Sequence, residues 1–269
     1  MQISENYKHI CMYNNFQQNN RFKKELTIHM KLNKLLKKAF LYFCLLVFFS
    51  GCSTKKKTWF SRQYHNTTAK YNGYFNGNES IKYGIKKISD SFEDDYSTVL
   101  PVFRTGDLKK SKSTLPYMDK AIQKGSIVIQ KHSIKIRGKE YCRWIDDNYL
   151  MVGKAYFYKG EFDEAAKTFS FIIEEYKKTP IVYEASLWLS RCFIEKKDFV
   201  AAESILIDLT NNRKFPEKLK KDFEKINADF YVRQKNYPLA KESLLNCINK
   251  YKLKKDKARL NYILAQIFQ

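Results

Sequence analysis

Residues 149–169 read YLMVGKAYFYKGEFDEAAKTF, and the placing of small and large apolar residues in this stretch decides the fold. Val152, Ala155 and Tyr156 recur at three- and four-residue spacing, then Gly160 interrupts, then Phe162, Ala165 and Phe169 resume the same period. That spacing predicts two amphipathic helices joined by a tight turn at the glycine. The stretch recurs. Residues 189–206 read LSRCFIEKKDFVAAESIL, residues 227–244 read NADFYVRQKNYPLAKESL, and residues 264–268 open a further copy as LAQIF. With Gly153, Ser190, Ala228 and Ala265 as equivalent positions, the copies lie 37, 38 and 37 residues apart.

This is the tetratricopeptide pattern, with a period slightly longer than the usual ~34 residues. Its physics is steric. A small residue at Gly153, Ser190 and Ala228 lets the first helix of each pair, helix A, approach its partner closely. The aromatic at Tyr156, Phe193 and Tyr231 fills the space between helices. Ala165, Ala202 and Ala240 stand where helix B crosses helix A, and a larger side chain there would force the pair apart. Asp198 and Asn236 fall in the A–B turns, where a short acceptor caps helix B. Pro238 then sits in the first turn, where a missing N–H is tolerated. Copies two and three lack the turn glycine, having Lys197 and Lys235 in its place. The expected fold class is all-α: a tetratricopeptide-repeat α-solenoid over residues 141–269, with three full repeats and a fourth begun, preceded by a short helical N-terminal region over residues 52–140. The fourth copy stops inside helix A, and a solenoid end needs a polar cover, so a longer protein is expected.

Upstream of the repeats, Tyr71, Tyr74, Phe75, Ile81, Ile85 and Ile88 suggest two short helices broken near Asn76-Gly77-Asn78, with Asn78 and Glu79 capping the second. Residues 92–117 carry Pro101, Gly106 and Pro116 among mixed charges and read as a connector. Met118 to about Ser133 has helical spacing again. Only 9 Gly and 5 Pro in 269 residues favour long helices over a many-turned β protein.

The N-terminus fixes the expected compartment. From Met30 the sequence runs MKLNKLLKKAFLYFCLLVFFSGC: a basic segment, an apolar run from Ala39 to Phe49, two small residues and Cys52. The apolar run is about half of the ~20 residues a bilayer span requires. Small residues directly before a cysteine are the signature of a bacterial lipoprotein signal, whose cysteine thiol is diacylated and becomes the new N-terminus. Residues 30–51 are therefore expected to be removed, residues 1–29 to be an over-extended start without order, and Cys52 to carry a covalent lipid. Net charge is +22 for the whole sequence. The chain from Cys52 keeps 42 basic and 26 acidic residues, a net +16. Positive charge with many aromatics suits single-stranded nucleic acid, but an exported lipoprotein does not meet it, so no nucleic-acid partner is expected. Acidic partners or anionic headgroups are favoured instead.

No enzyme is expected. Cys142, Cys192 and Cys247 are scattered without metal-ligand spacing, and Cys192 and Cys247 stand at repeat positions that call for small apolar residues. His65 and His132 are isolated in sequence. Asp146-Asp147 and Glu174-Glu175 are adjacent pairs, and neighbours on a helix do not face each other. Gly73 and Gly77 are followed by no GK[ST], so they form no phosphate loop. No cofactor is expected beyond the lipid. What remains is surface recognition along helix A, which lines the groove of such solenoids. The candidate groove residues are Leu150, Lys154, Phe157 and Tyr158 in the first repeat, Leu187, Arg191 and Ile194 in the second, and Asp229, Val232 and Arg233 in the third. Phe157, Tyr158 and Arg191, expected to be exposed, are the best anchor types.

Cys52 together with the blocks YHNTTAKYNGYFNGNES, LPVFRTG, IQKHSI and RGKEYCRWIDDNYLMVGKAYFYKGEF resembles the N-terminal part of the SprE/PorW lipoproteins of the type IX secretion and gliding-motility machinery. The resemblance implies an outer-membrane-anchored, periplasm-facing adaptor whose partners are proteins of that apparatus, and it carries over no catalytic residue. Members of that family are much longer than 269 residues. Two other readings of a lipid anchor joined to tetratricopeptide helices stay open. One is a glycan-capturing nutrient-uptake lipoprotein; the other is an adaptor for outer-membrane assembly or a peptidoglycan hydrolase.

Overall fold

The structure, a computed structural model, describes residues 58–105, 107, 108, 112–251 and 254–269, and the helical positions 34, 36–38, 40 and 42. It divides into two units, 1–53 and 54–269. In the first, the described residues are exposed helix; the cysteine proposed to carry lipid, Cys52, lies outside the described residues. The repeats lie in the second.

The second unit is an all-α, tetratricopeptide-like solenoid. Its helices are α1 (Trp59–Thr68), α2 (Asn76–Asp90), α3 (Leu115–His132), α4 (Ile145–Lys159), α5 (Phe162–Glu175), α6 (Ile181–Lys196), α7 (Phe199–Asn211), α8 (Lys220–Arg233), α9 (Tyr237–Lys250) and α10 (Lys254–Phe268). Each packs chiefly on its neighbours in sequence, so the cores are laid down as a series along the chain. One runs from α2 to α6, a second joins α6, α7 and α8, and a third joins α8, α9 and α10. The first core crosses from the N-terminal helices into the first repeat without a break.

The repeat positions behave as their sizes require. Ala165, Ala202, Ala228 and Ala240 are fully buried. A Cβ added to Gly153 would stand 2.5 Å from the Phe169 ring, which is itself fully buried. Gly160 ends α4 in the left-handed conformation at φ 84°, and Lys197 and Lys235 do the same at φ 61° and 59° in the next two turns. The three turns share one geometry although only the first has glycine. Asp198 accepts from the Ala201 amide at 3.2 Å and Asn236 from the Leu239 amide at 3.4 Å, capping α7 and α9.

Upstream, the structure departs from expectation. No break occurs near Asn76-Gly77-Asn78: α1 runs through a π-helical segment, Ala69–Phe75, directly into α2. The reason lies in the buried residues Ser61, His65, Ala69, Gly73 and Gly77, spaced four apart. In a regular α-helix, at roughly 100° per residue, each four-residue step drifts by about 40°, and the row would wind off the buried face. The wider i→i+5 turns of the π segment absorb that drift. Gly77 breaks nothing; a Cβ there would meet the Met151 sulfur at 2.1 Å, so glycine permits close approach to α4. Asn78 caps no helix, and its amide donates to the Tyr74 carbonyl at 2.9 Å.

Between α3 and α4 a small antiparallel hairpin pairs Lys135–Ile136 with Lys139–Glu140. Its two turn residues, Arg137 and Gly138, have φ 50° and 78°, the signs of a type I′ turn. Helical periodicity carried no sign of it. Glu140 locks the base of the hairpin, since its carboxylate accepts from the amides of Ile134, Tyr141 and Cys142 at 2.8–2.9 Å.

Candidate functional site: the helix A face

The A helices α4, α6, α8 and α10 present one face. Across it lies the segment from Asp94 to Arg104, the stretch read from sequence as a connector. Leu100 and Val102 are buried in the core of α8, α9 and α10. The Leu100 amide donates to Gln266 Oε1 at 3.0 Å, and Gln266 Nε2 donates to the Thr98 carbonyl at 2.8 Å. One glutamine thus satisfies both backbone groups of an extended chain, as a neighbouring strand would. Arg259 clamps the segment further on, donating from Nε to the Pro101 carbonyl at 2.9 Å and reaching both Asp94 carboxylate oxygens at 2.8 and 2.9 Å. The Nη1 hydrogen bond and the guanidinium charge hold the Asp94 carboxyl below its ordinary range.

At the middle of the face, Phe103 covers a cavity of about 220 Å³ lined by Lys154, Trp188, Arg191 and Lys225, among others. Arg191 is only 7% exposed. Its guanidinium stacks on Phe103, Trp188 and Phe157 at 4.1, 4.4 and 4.6 Å, close enough for cation–π attraction on three sides. Lys225 also sits over the Phe103 ring, 4.6 Å from its centre. Burial, and after it the Arg191 charge, pushes its ammonium below the ordinary lysine value. Lys154 is bound instead to Glu184 at 2.6 Å. Asp147, in the first turn of α4, is pushed up to about 6 by burial and by the charges of Asp146 and Glu184.

The expected groove residues therefore fall into three groups. Leu150, Leu187, Ile194 and Val232 are buried core. Asp229 and Arg233 are tied to each other at 3.0 Å, and Arg233 also grips Glu195 through two bonds of 2.6 and 3.1 Å. Lys154, Phe157, Tyr158 and Arg191 line or support the cavity. Phe157, Tyr158 and Arg191 are not the exposed anchors expected of them. Phe157 is fully buried, with the rings of Tyr158, Phe162 and Trp188 packed edge-on around it, and Tyr158 is 9% exposed. Two causes act: Phe157 and Tyr158 are covered by Phe162 and Trp188 within the repeat core, and Arg191 is covered by Phe103 of the chain's own segment.

Sequence reading missed Phe103, Trp188, Arg259 and Gln266. A signal existed for the first: Val99-Leu100-Pro101-Val102-Phe103 is an apolar run inside a charged connector, and such a run has to be buried against something. His65 and His132 are likewise not isolated, for their Nδ1 atoms lie 2.7 Å apart between α1 and α3. One imidazole donates and the other accepts, so at least one is neutral, and burial lowers both from the ordinary histidine value. The three thiols of Cys142, Cys192 and Cys247 are free and buried, pushed up by burial to about 11, 12 and 11. Thiols held protonated in this way are packing groups.

Comparison with known families and proteins fits this geometry. The tetratricopeptide repeat model matches residues 147–179, from the first turn of α4 through α5 to the residue before Pro180. No curated protein gives a match. The chain contains a tetratricopeptide repeat within an all-α solenoid, an architecture that generally serves protein–protein interaction without catalysis.

Proposed function

We propose that this chain is a non-enzymatic interaction scaffold, held at the outer membrane by lipid on Cys52, facing the periplasm, and serving a type IX secretion or gliding-motility apparatus. The observation that carries the scaffold reading is the manner in which the helix A face holds residues 98–104. Gln266 pairs with their backbone, Arg259 clamps it, and the Arg191–Lys225 pair receives an aromatic side chain. A partner's extended segment with the same sequence of chemistry, apolar residues leading to an aromatic one, competes for that face. The anchor and the apparatus rest on the lipobox at Cys52 and on the resemblance of the NGYFNGNES and KHSIKIRGKEY blocks.

The test is crosslinked capture of the full-length protein from membranes, with and without excess peptide spanning residues 94–105, together with deletion of the gene. The expected result is capture of envelope proteins of the secretion apparatus, reduced by the peptide, and loss of both cargo secretion and surface spreading on deletion. Unchanged secretion after deletion would remove the apparatus from the proposal. Capture indifferent to the peptide would remove the helix A face.

A further inference from the structure

The helix running through α1, the π segment and α2 has two faces of opposite character. One carries the buried row Ser61, His65, Ala69, Gly73 and Gly77 against α3 and α4. The other carries Trp59, Phe60, Tyr64, Tyr71, Phe75 and Tyr83, each 52–77% exposed. The π segment that keeps the small residues inward keeps these aromatics together on the outward side. Aromatic side chains standing in water over some 25 residues are unusual, because so large an apolar surface is normally removed from solvent.

The charge around this face is one-sided. From Ser53 to Asn78 the sequence has five basic residues, Lys55, Lys56, Lys57, Arg62 and Lys70, and no Asp or Glu. The first acidic residue is Glu79, and the mixed charge typical of the rest of the chain begins there. Trp59 also stands seven residues after Cys52 in sequence, and seven residues of chain can span at most roughly 25 Å. Tryptophan and tyrosine at headgroup depth, with lysines toward anionic lipid, are the chemistry of a helix lying in a membrane interface.

We propose that the outward aromatic face of residues 59–83 seats on the surface of an anionic bilayer. It acts as a second, non-covalent contact beside the lipid on Cys52 and fixes how the solenoid stands on the membrane. One acyl-type anchor allows a protein to swivel; a flat aromatic face does not. The idea that the bilayer lies close by rests on the lipoprotein reading, whereas the aromatic face itself does not.

The experiment uses the chain from Ser53 onward, which retains the whole compact unit and has neither signal segment nor lipid. It is mixed with vesicles of equal parts phosphatidylglycerol and phosphatidylethanolamine, and separately with phosphatidylcholine vesicles. The expected result is flotation with the anionic vesicles, weakened by high salt, and quenching of Trp59 by lipids brominated near the headgroup. The combined variant Phe60→Ser, Tyr64→Ser, Tyr71→Ser, Phe75→Ser is expected to bind roughly tenfold or more weakly. Its circular dichroism is unchanged, because these side chains are exposed. A milder Phe60→Ser, Phe75→Ser variant gives an intermediate loss. No flotation, flotation indifferent to both variants, or self-association through the face in place of vesicle binding would overturn the inference. Palmitate labelling of Cys52 in the full chain separates the two ideas. Labelling without vesicle binding sinks the aromatic face and leaves the anchor. Vesicle binding without labelling sinks the anchor and leaves the face.

Discussion

Replacing Lys197 and Lys235 by glycine should make the protein more stable, and the size of the gain follows from two backbone angles. Both residues close an A–B turn with φ near 60°, a conformation that costs an L-residue with a side chain about 1–2 kcal/mol. Glycine removes that cost but adds freedom to the unfolded chain, which takes back roughly 0.4–1 kcal/mol. The net is about 0.5–1 kcal/mol for each site. Both side chains are exposed, so little packing is lost. The turns belong to different repeats and share no partner, so the gains should add, to roughly 1.5 kcal/mol for the double variant. For a unit of this size that raises Tm by about 3–6 °C. Calorimetry on Lys197→Gly, Lys235→Gly and the pair measures it, with Gly160→Ala as the converse, expected to lose about 1 kcal/mol. A loss of stability in either lysine variant would refute the claim that all three turns share the left-handed geometry that Gly160 adopts.

Removing the capping side chains by Asp198→Ala or Asn236→Ala should cost about 1 kcal/mol each in chemical denaturation, from the loss of bonds to the Ala201 and Leu239 amides. Arg259→Met keeps the apolar stem but leaves the Asp94 carboxylate only its looser pair with Arg104 at 3.8 Å; it should cost about 2 kcal/mol and speed tryptic cleavage after Arg104, read by mass spectrometry. The histidine pair predicts a pH effect. Burial favours the neutral form of both groups, with folded values below the ordinary one. The contact therefore contributes fully above about pH 6.5 and is lost as pH falls from there through the lower folded values. The urea midpoint should drop between pH 7.5 and 5.5, and a His132→Gln variant should lack that share of the drop.

The repeats were legible because their signal is steric and periodic. Gly153, Ala165 and their equivalents must be small in every copy, and a fixed spacing near 37 residues exposes them. The turn at Lys197 was legible only by phase, since nothing in a lysine announces a positive φ. The joined helix from Trp59 to Asp90 was misread because glycine and asparagine ordinarily mark a break. Here Gly73 and Gly77 are small so that Val128 and Met151 can come close, a long-range cause that local spacing does not carry. The candidate site was half legible. Its helices and register followed from the repeat, and Arg191 was singled out. Its state, buried under Phe103 instead of open, depended on a segment 88 residues upstream whose destination no periodicity reveals. The hairpin at Arg137-Gly138 was too short for any period to register.

The central claim is that the helix A face is held by the chain's own segment, and the Leu100 amide reports this directly. It is bonded to Gln266 Oε1 at 3.0 Å on a residue 3% exposed. Native-state hydrogen exchange should find it protected by at least roughly two orders of magnitude over an unstructured chain, with the protection lost in Gln266→Ala while α4 and α6 amides stay protected. Exchange of the Leu100 amide at unstructured rates in the native protein would mean that the face stands open, and would contradict that claim.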